Sequence, residues 1–182
     1  SFLSQHPAGL EMLYAWLLPL GGDPAAKVLH WSLGVLAAWT VGDWLSARIG
    51  RHDARVLACS LYLVPFFGVL SARAYVDLGL VAYAAAALVA PWGSVLQGAL
   101  VGFAGGTKYL GGFLLIGWAA ALLATGRRRG ALVMAAAAVL AGGAWGVRNW
   151  LDTGNPVHPF AHGLLVSEPV SATPGEYDAV SF

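Results

Sequence analysis

From Leu78 to Thr107 the chain carries no charged side chain, and from Tyr109 to Gly126 it carries none again, so that Lys108 stands alone between two apolar runs. A helix needs about 20 mostly apolar residues to cross the hydrocarbon core of a bilayer. Inside that core every backbone N–H and C=O must be satisfied within the segment itself, which favours helices. The chain as a whole agrees: of its 182 residues 58% are hydrophobic and 10% charged, and the mean hydropathy is +0.68. A soluble domain carries about 25% charged residues, so this chain lacks the polar surface to cover itself in water. The expectation is an all-α, polytopic transmembrane bundle.

Charge-poor windows lie near residues 28–47, 54–72, 74–107, 109–126 and 130–147. The third is too long for one helix and holds "APWGS", where Pro91 breaks a helix and Trp92 suits an interface. Dividing it gives spans near 74–91 and 93–108, six in all. Cytoplasmic loops carry an excess of Lys and Arg. The two richest loops, with Arg48, Arg51 and Arg55 and with Arg127, Arg128 and Arg129, share a side when six spans are counted and lie on opposite sides when five are. Six is preferred, and the outer face then receives Arg73, Asp77, Lys108 and Arg148.

In the first segment, "HPAGLEMLYAWLLPLGG" over residues 6–22, the apolar run from Met12 to Leu20 is too short to cross. Leu10, Leu13, Tyr14, Leu17 and Leu18 follow helical spacing, which predicts a juxtamembrane helix on the outer surface. Gly98, Gly102 and Gly106, and again Gly142 and Gly146, are four apart, a spacing that lets helix backbones approach closely. The single Cys59 excludes an intrachain disulfide and reads as a buried apolar residue. No basic stripe suggests nucleic acid. His158 and His162 have ligand spacing, but Pro159 and the turn-like "TGNPVHPF" argue against a metal site there.

The outward polar residues point to anion binding. An ammonium at the membrane edge lies at the depth of a lipid phosphate, and an arginine fork can hold further phosphate oxygens. Lys108 and Arg148 fit these roles, although either could simply snorkel to headgroups. Asn149 can hydrogen-bond a ligand or cap a helix end. Asp77, at the start of an outer span, can take a proton, bind a metal or accept sugar hydroxyls, or it can pair with Arg73 four residues earlier. Asp43 lies near the inner end of the first span and is expected to pair with a basic neighbour.

In order, "HPAGLEMLYAWLLPLGG", "YVDLGLVAYAAAALVA", "GALVGFAGGTKYLGGFLL" and "WGVRNWLDTGNPVHPF" resemble motifs of the GT-C superfamily of integral-membrane glycosyltransferases. The branch is that of protein mannosyltransferases and aminoarabinose transferases, glycosyltransferase family 39. The resemblance covers about His6 to Phe160 and places residues 1–160 within one transmembrane domain, with 161–182 as an outer loop. It implies transfer of a sugar from a polyprenyl-phosphate carrier to a glycan, lipid or protein acceptor on the outer face, with membrane lipids as further partners and no nucleic acid. It implies that Lys108, Arg148 and His6 meet the carrier phosphate, that Asp77 supports catalysis, and that Tyr109 and Asn149 are secondary contacts. Some members carry lysine where His6 stands. No cofactor is fixed by it, and a divalent metal is left open. The family's principal acid falls upstream of Ser1, so this stretch alone is expected to be inactive. The Ala/Gly-rich composition and the "RNW…TGNP" run suggest a bacterial cytoplasmic membrane with the active face outward. Two other readings stand beside this one: a transporter or lipid flippase for an anionic substrate, and a non-catalytic relative that kept the fold.

Overall fold

Helix-forming alanine and leucine runs, punctuated by glycine and proline, produce an all-helical chain; the computed structural model describes residues 6–158 and 160. The helices are α1 (Gly9–Ile49), α2 (Arg51–Ser60), α3 (Pro65–Ser71), α4 (Asp77–Val89), α5 (Val95–Thr107), α6 (Gly112–Ala124), α7 (Arg128–Gly142) and α8 (Ala144–Thr153). No strand occurs among the described residues. Two compact units result: Pro7–Gly143, and a smaller one to which His6 and the described residues from Ala144 onward belong.

Within the larger unit α1 is two helices joined at a kink. Gly21 and Gly22 leave the helical region, and Gly22 sits at φ 63°, where an L side chain would be strained. The kink separates the first helical piece, which begins at Gly9, from the apolar run that follows. On the first piece Leu10 and Tyr14 are buried while Leu13 and Leu18 are exposed, so only part of the predicted apolar face meets protein. Leu10 packs across Gly79 of α4, and the Gly9 backbone approaches the Gly106 carbonyl of α5, where an added Cβ would stand at 2.9 Å.

The window near 54–72 does not form one straight helix. A 3-10 turn at Leu61–Leu63 and an extended Val64 before Pro65 divide it into α2 and α3, bent by 74°. Proline has no N–H to donate and restricts the residue before it, which accounts for the break. Cys59 is exposed rather than buried. Ala54 and Ala58 are the buried face of α2, and position 59 lies a third of a turn away from it.

α4 and α5 are joined by a tight connection through Pro91. Ser94 Oγ accepts from Gln97 N at 3.1 Å, capping α5, and the buried Gln97 side chain accepts from Gly93 N at 2.8 Å and donates to the Ala87 carbonyl at 3.1 Å. Gly93 has φ 74°, and a Cβ there would meet the Gly130 backbone at 2.7 Å. α5 and α7 lie backbone to backbone: Cβ atoms on Gly98 and Gly102 would collide with the carbonyls of Met134 and Ala138, and one on Gly142 with that of Gly102. The glycine spacing therefore packs helices, as its periodicity predicts.

α4, α5 and α6 have 13 residues each, about 20 Å of helix at 1.5 Å per residue, against about 30 Å of bilayer core. No single helix among the described residues is long and apolar enough to cross a membrane. Taken as consecutive pairs, Arg51–Leu63 with Pro65–Ser71 and Arg128–Gly142 with Ala144–Thr153 reach that length and composition.

In the smaller unit α8 leads into a turn organised by Asn155. Its side chain accepts from Val157 N at 3.0 Å and donates to the Phe160 carbonyl at 2.7 Å. The fully buried Asn155 replaces backbone partners that the two prolines of this segment cannot supply. His162 and the expected outer loop at 161–182 lie outside the described residues.

Candidate functional site

The site in the larger unit forms where three helix ends meet: the start of α1, the first residue of α4 and the last turn of α5. Asp77 begins α4, and its carboxylate favours the positive end of that helix's dipole. Lys108 follows α5 in an extended conformation, so its side chain leaves the helix instead of continuing along it. Lys108 Nζ donates to Asp77 Oδ1 at 2.8 Å. The side chains remain 46% and 36% exposed, so the pair is open to a ligand. Arg73, the local alternative partner, makes no ion pair with Asp77.

Leu10 and Gly9 carry α1 onto these two helix ends, which brings up residues that the sequence did not single out. Glu11, in the first turn of α1, lies within electrostatic reach of Lys108. Partial desolvation raises its carboxyl above the ordinary value of 4.5, with Lys108 acting in the opposite direction. One turn on, the buried Tyr14 hydroxyl donates to the Tyr75 carbonyl at 2.5 Å and lies 2.7 Å from His30 Nδ1. A phenol has one proton. With that proton committed to the carbonyl, the His30 ring donates from Nδ1 to the Tyr14 oxygen, which leaves Nε2 as an acceptor. That Nε2 is buried and has no partner within hydrogen-bond geometry among the described residues. Burial first, and then the carboxylates of Glu11 and Asp77, push the Tyr14 phenol well above its ordinary range.

Thus Tyr14 ties the segment before α4 to two parts of α1, and the Lys108–Asp77 pair sits beside this tie. The arrangement offers an ammonium, a second carboxyl able to gain a proton and a rigid hydrogen-bonded support. Sequence periodicity marked Tyr14 only as part of an apolar helix face. His30, a polar residue inside the apolar run between Lys27 and Asp43, was the visible signal for the buried network.

The other candidate residues are placed as follows. His6 is half-buried just ahead of α1. Tyr109 is half-buried in the 3-10 turn Tyr109–Gly111. Arg148 and Asn149 belong to the smaller unit. Arg148 Nε lies 3.6 Å from Asp152 Oδ2 one turn on, and its guanidinium lies 5.5 Å from the Trp145 ring. Asn149 is fully buried. Asp43 accepts from Trp39 Nε1 at 3.0 Å and makes no ion pair among the described residues, contrary to expectation. Its neighbour Arg48 donates instead to the Trp44 carbonyl and stacks on the Trp44 ring. Among the described residues no three His, Cys, Asp or Glu side chains gather as metal ligands. The chain matches no protein-family model, no curated protein and no solved structure.

Proposed function

We propose that the chain is part of a membrane glycosyltransferase that moves a sugar from a polyprenyl-phosphate carrier to an acceptor on the outer face of the membrane. The observation that carries this reading is the Lys108–Asp77 pair, half-exposed and held against a helix with exposed apolar side chains. In the transfer, the acceptor oxygen bonds to the anomeric carbon, the bond from that carbon to the phosphate oxygen breaks, and the phosphate leaves with an added negative charge. Lys108 neutralises that charge and Asp77 holds the ammonium in place. The acceptor's proton passes to a carboxylate. In this reading the short helices cross the bilayer as bent or paired elements, and the exposed apolar side chains face lipid.

The test is sugar transfer by the full-length protein in detergent, with a polyprenyl-phosphate sugar as donor. Lys108→Ala and Asp77→Asn should each lower kcat by about 100-fold, the scale of lost electrostatic stabilisation in a transition state. Unchanged transfer in both variants would sink the proposal.

A transporter is the second reading, favoured by the break between α2 and α3, because discontinuous helices mark transporter sites. Substrate uptake or lipid flipping without any sugar transfer would decide for it.

A further inference from the structure

A groove of about 430 Å³ opens between the second piece of α1 and α2, within the size range of ligand sites, about 300–1,000 Å³. Its lining is apolar along Val35, Ala38 and Tyr62, and carries two opposite charges, Asp43 and Arg55. The helices close on each other beside it, where a Cβ on Gly42 would lie 3.0 Å from that of Ala58. The polar groups are only partly committed. Asp43 Oδ2 takes the Trp39 indole N–H, and its other oxygen has no hydrogen-bond partner among the described residues. Arg48 is engaged by Trp44. Arg55 is exposed and makes no ion pair or side-chain hydrogen bond among the described residues.

An occupant must therefore bring an apolar chain together with both an anion and a cation. A fatty acid or a purely anionic lipid would satisfy Arg55 but set its charge against Asp43. A trimethylammonium headgroup has no N–H to give a carboxylate oxygen. A phosphodiester accepts the planar guanidinium fork, and a primary ammonium beside it donates to the carboxylate. We propose that this groove binds a glycerophospholipid bearing a primary ammonium, one acyl chain lying along Val35 and Ala38, its phosphate on Arg55 and its ammonium on Asp43. The inference rests on the membrane embedding put forward above, and not on sugar transfer.

The experiment uses the full-length protein, stripped of lipid by detergent exchange. It is offered equal amounts of phosphatidylethanolamine, phosphatidylcholine and phosphatidylglycerol in mixed micelles, and native mass spectrometry reads what is retained. Phosphatidylethanolamine should be retained about tenfold over each of the others, the scale of one charge-assisted hydrogen bond. Asp43→Asn should bring it down to the phosphatidylcholine level, and Arg55→Gln should weaken retention of all three. Equal retention of the three lipids, preference for phosphatidylglycerol, no retained lipid, or an Asp43→Asn variant with unchanged preference would each overturn the proposal. Sugar transfer is measured on the same preparations. Transfer without the lipid preference sinks only this inference, the preference without transfer sinks only the glycosyltransferase reading, and a protein recovered without detergent sinks both.

Discussion

Lys108 Nζ stands 2.8 Å from Asp77 Oδ1, although 31 residues and an entire helical hairpin separate them in the chain. The tight connection at Pro91 folds α5 back along α4, so that the end of one helix returns to the start of the other. Both side chains keep solvent access, and exposed pairs of this kind contribute about 0–1 kcal/mol to stability. A double-mutant cycle of Lys108→Ala and Asp77→Asn, read by denaturant unfolding in detergent, should therefore give a coupling below about 1 kcal/mol. Under the glycosyltransferase proposal the same substitutions should strongly reduce sugar transfer. A coupling of several kcal/mol would make the pair chiefly a structural clamp.

Tyr14→Phe should cost more than the ion pair. It removes the donor to the Tyr75 carbonyl and the acceptor for His30 Nδ1, leaving two groups unsatisfied, at about 1–3 kcal/mol for a buried polar group. Thermal unfolding of the purified protein measures this directly. A variant as stable as the parent would mean that the hydroxyl contacts are dispensable.

The Glu11 carboxyl is raised above 4.5, so between that ordinary value and the raised one the folded chain binds more protons than the unfolded chain. Stability contributed by the protonated form is present at lower pH and declines as pH rises through the raised value. Glu11→Gln should flatten this part of the stability–pH profile and leave the variant relatively more stable at neutral pH. Parallel profiles for parent and variant would show that Glu11 titrates alike in both states.

Gly102→Leu should be among the most damaging single changes in the larger unit. A Cβ at this position already collides with the Ala138 carbonyl, and overpacking costs about 1–3 kcal/mol or more when backbone must move. Gly117→Leu is the control, because nothing lies within 4 Å of a Cβ there. Folded yield and midpoint of unfolding compare the two. Equal tolerance would remove the argument that α5 and α7 need direct backbone contact.

The all-helical class and several helix ends were legible from local rules. Gly21–Gly22 and Pro91 interrupt helices because glycine reaches backbone conformations closed to other residues and proline lacks a donor. "SVLQ", Ser94 to Gln97, carries a capping signature inside an otherwise apolar window, and Ser94 caps α5. The break at Val64–Pro65 was equally visible as a proline, but the continuous apolar run hid it, since hydropathy sums composition and is blind to direction. Cys59 is exposed for a related reason: its neighbours are apolar, yet burial depends on which face of α2 meets α1.

The site itself needed the tertiary fold. Asp77 and Lys108 drew notice as isolated charges, but one sequence carries no distance between them, and Asp77 had Arg73 as an equally plausible partner four residues away. Only the return of α5 along α4 chose Lys108. Glu11, Tyr14 and His30 join the same region because Leu10 seats on Gly79 and Gly9 on Gly106, contacts that no periodicity encodes. Helix and turn are decided by backbone sterics within a few residues. Charge pairing and proton affinity are decided by neighbours distant in the chain, and those neighbours exist only once the helices have packed.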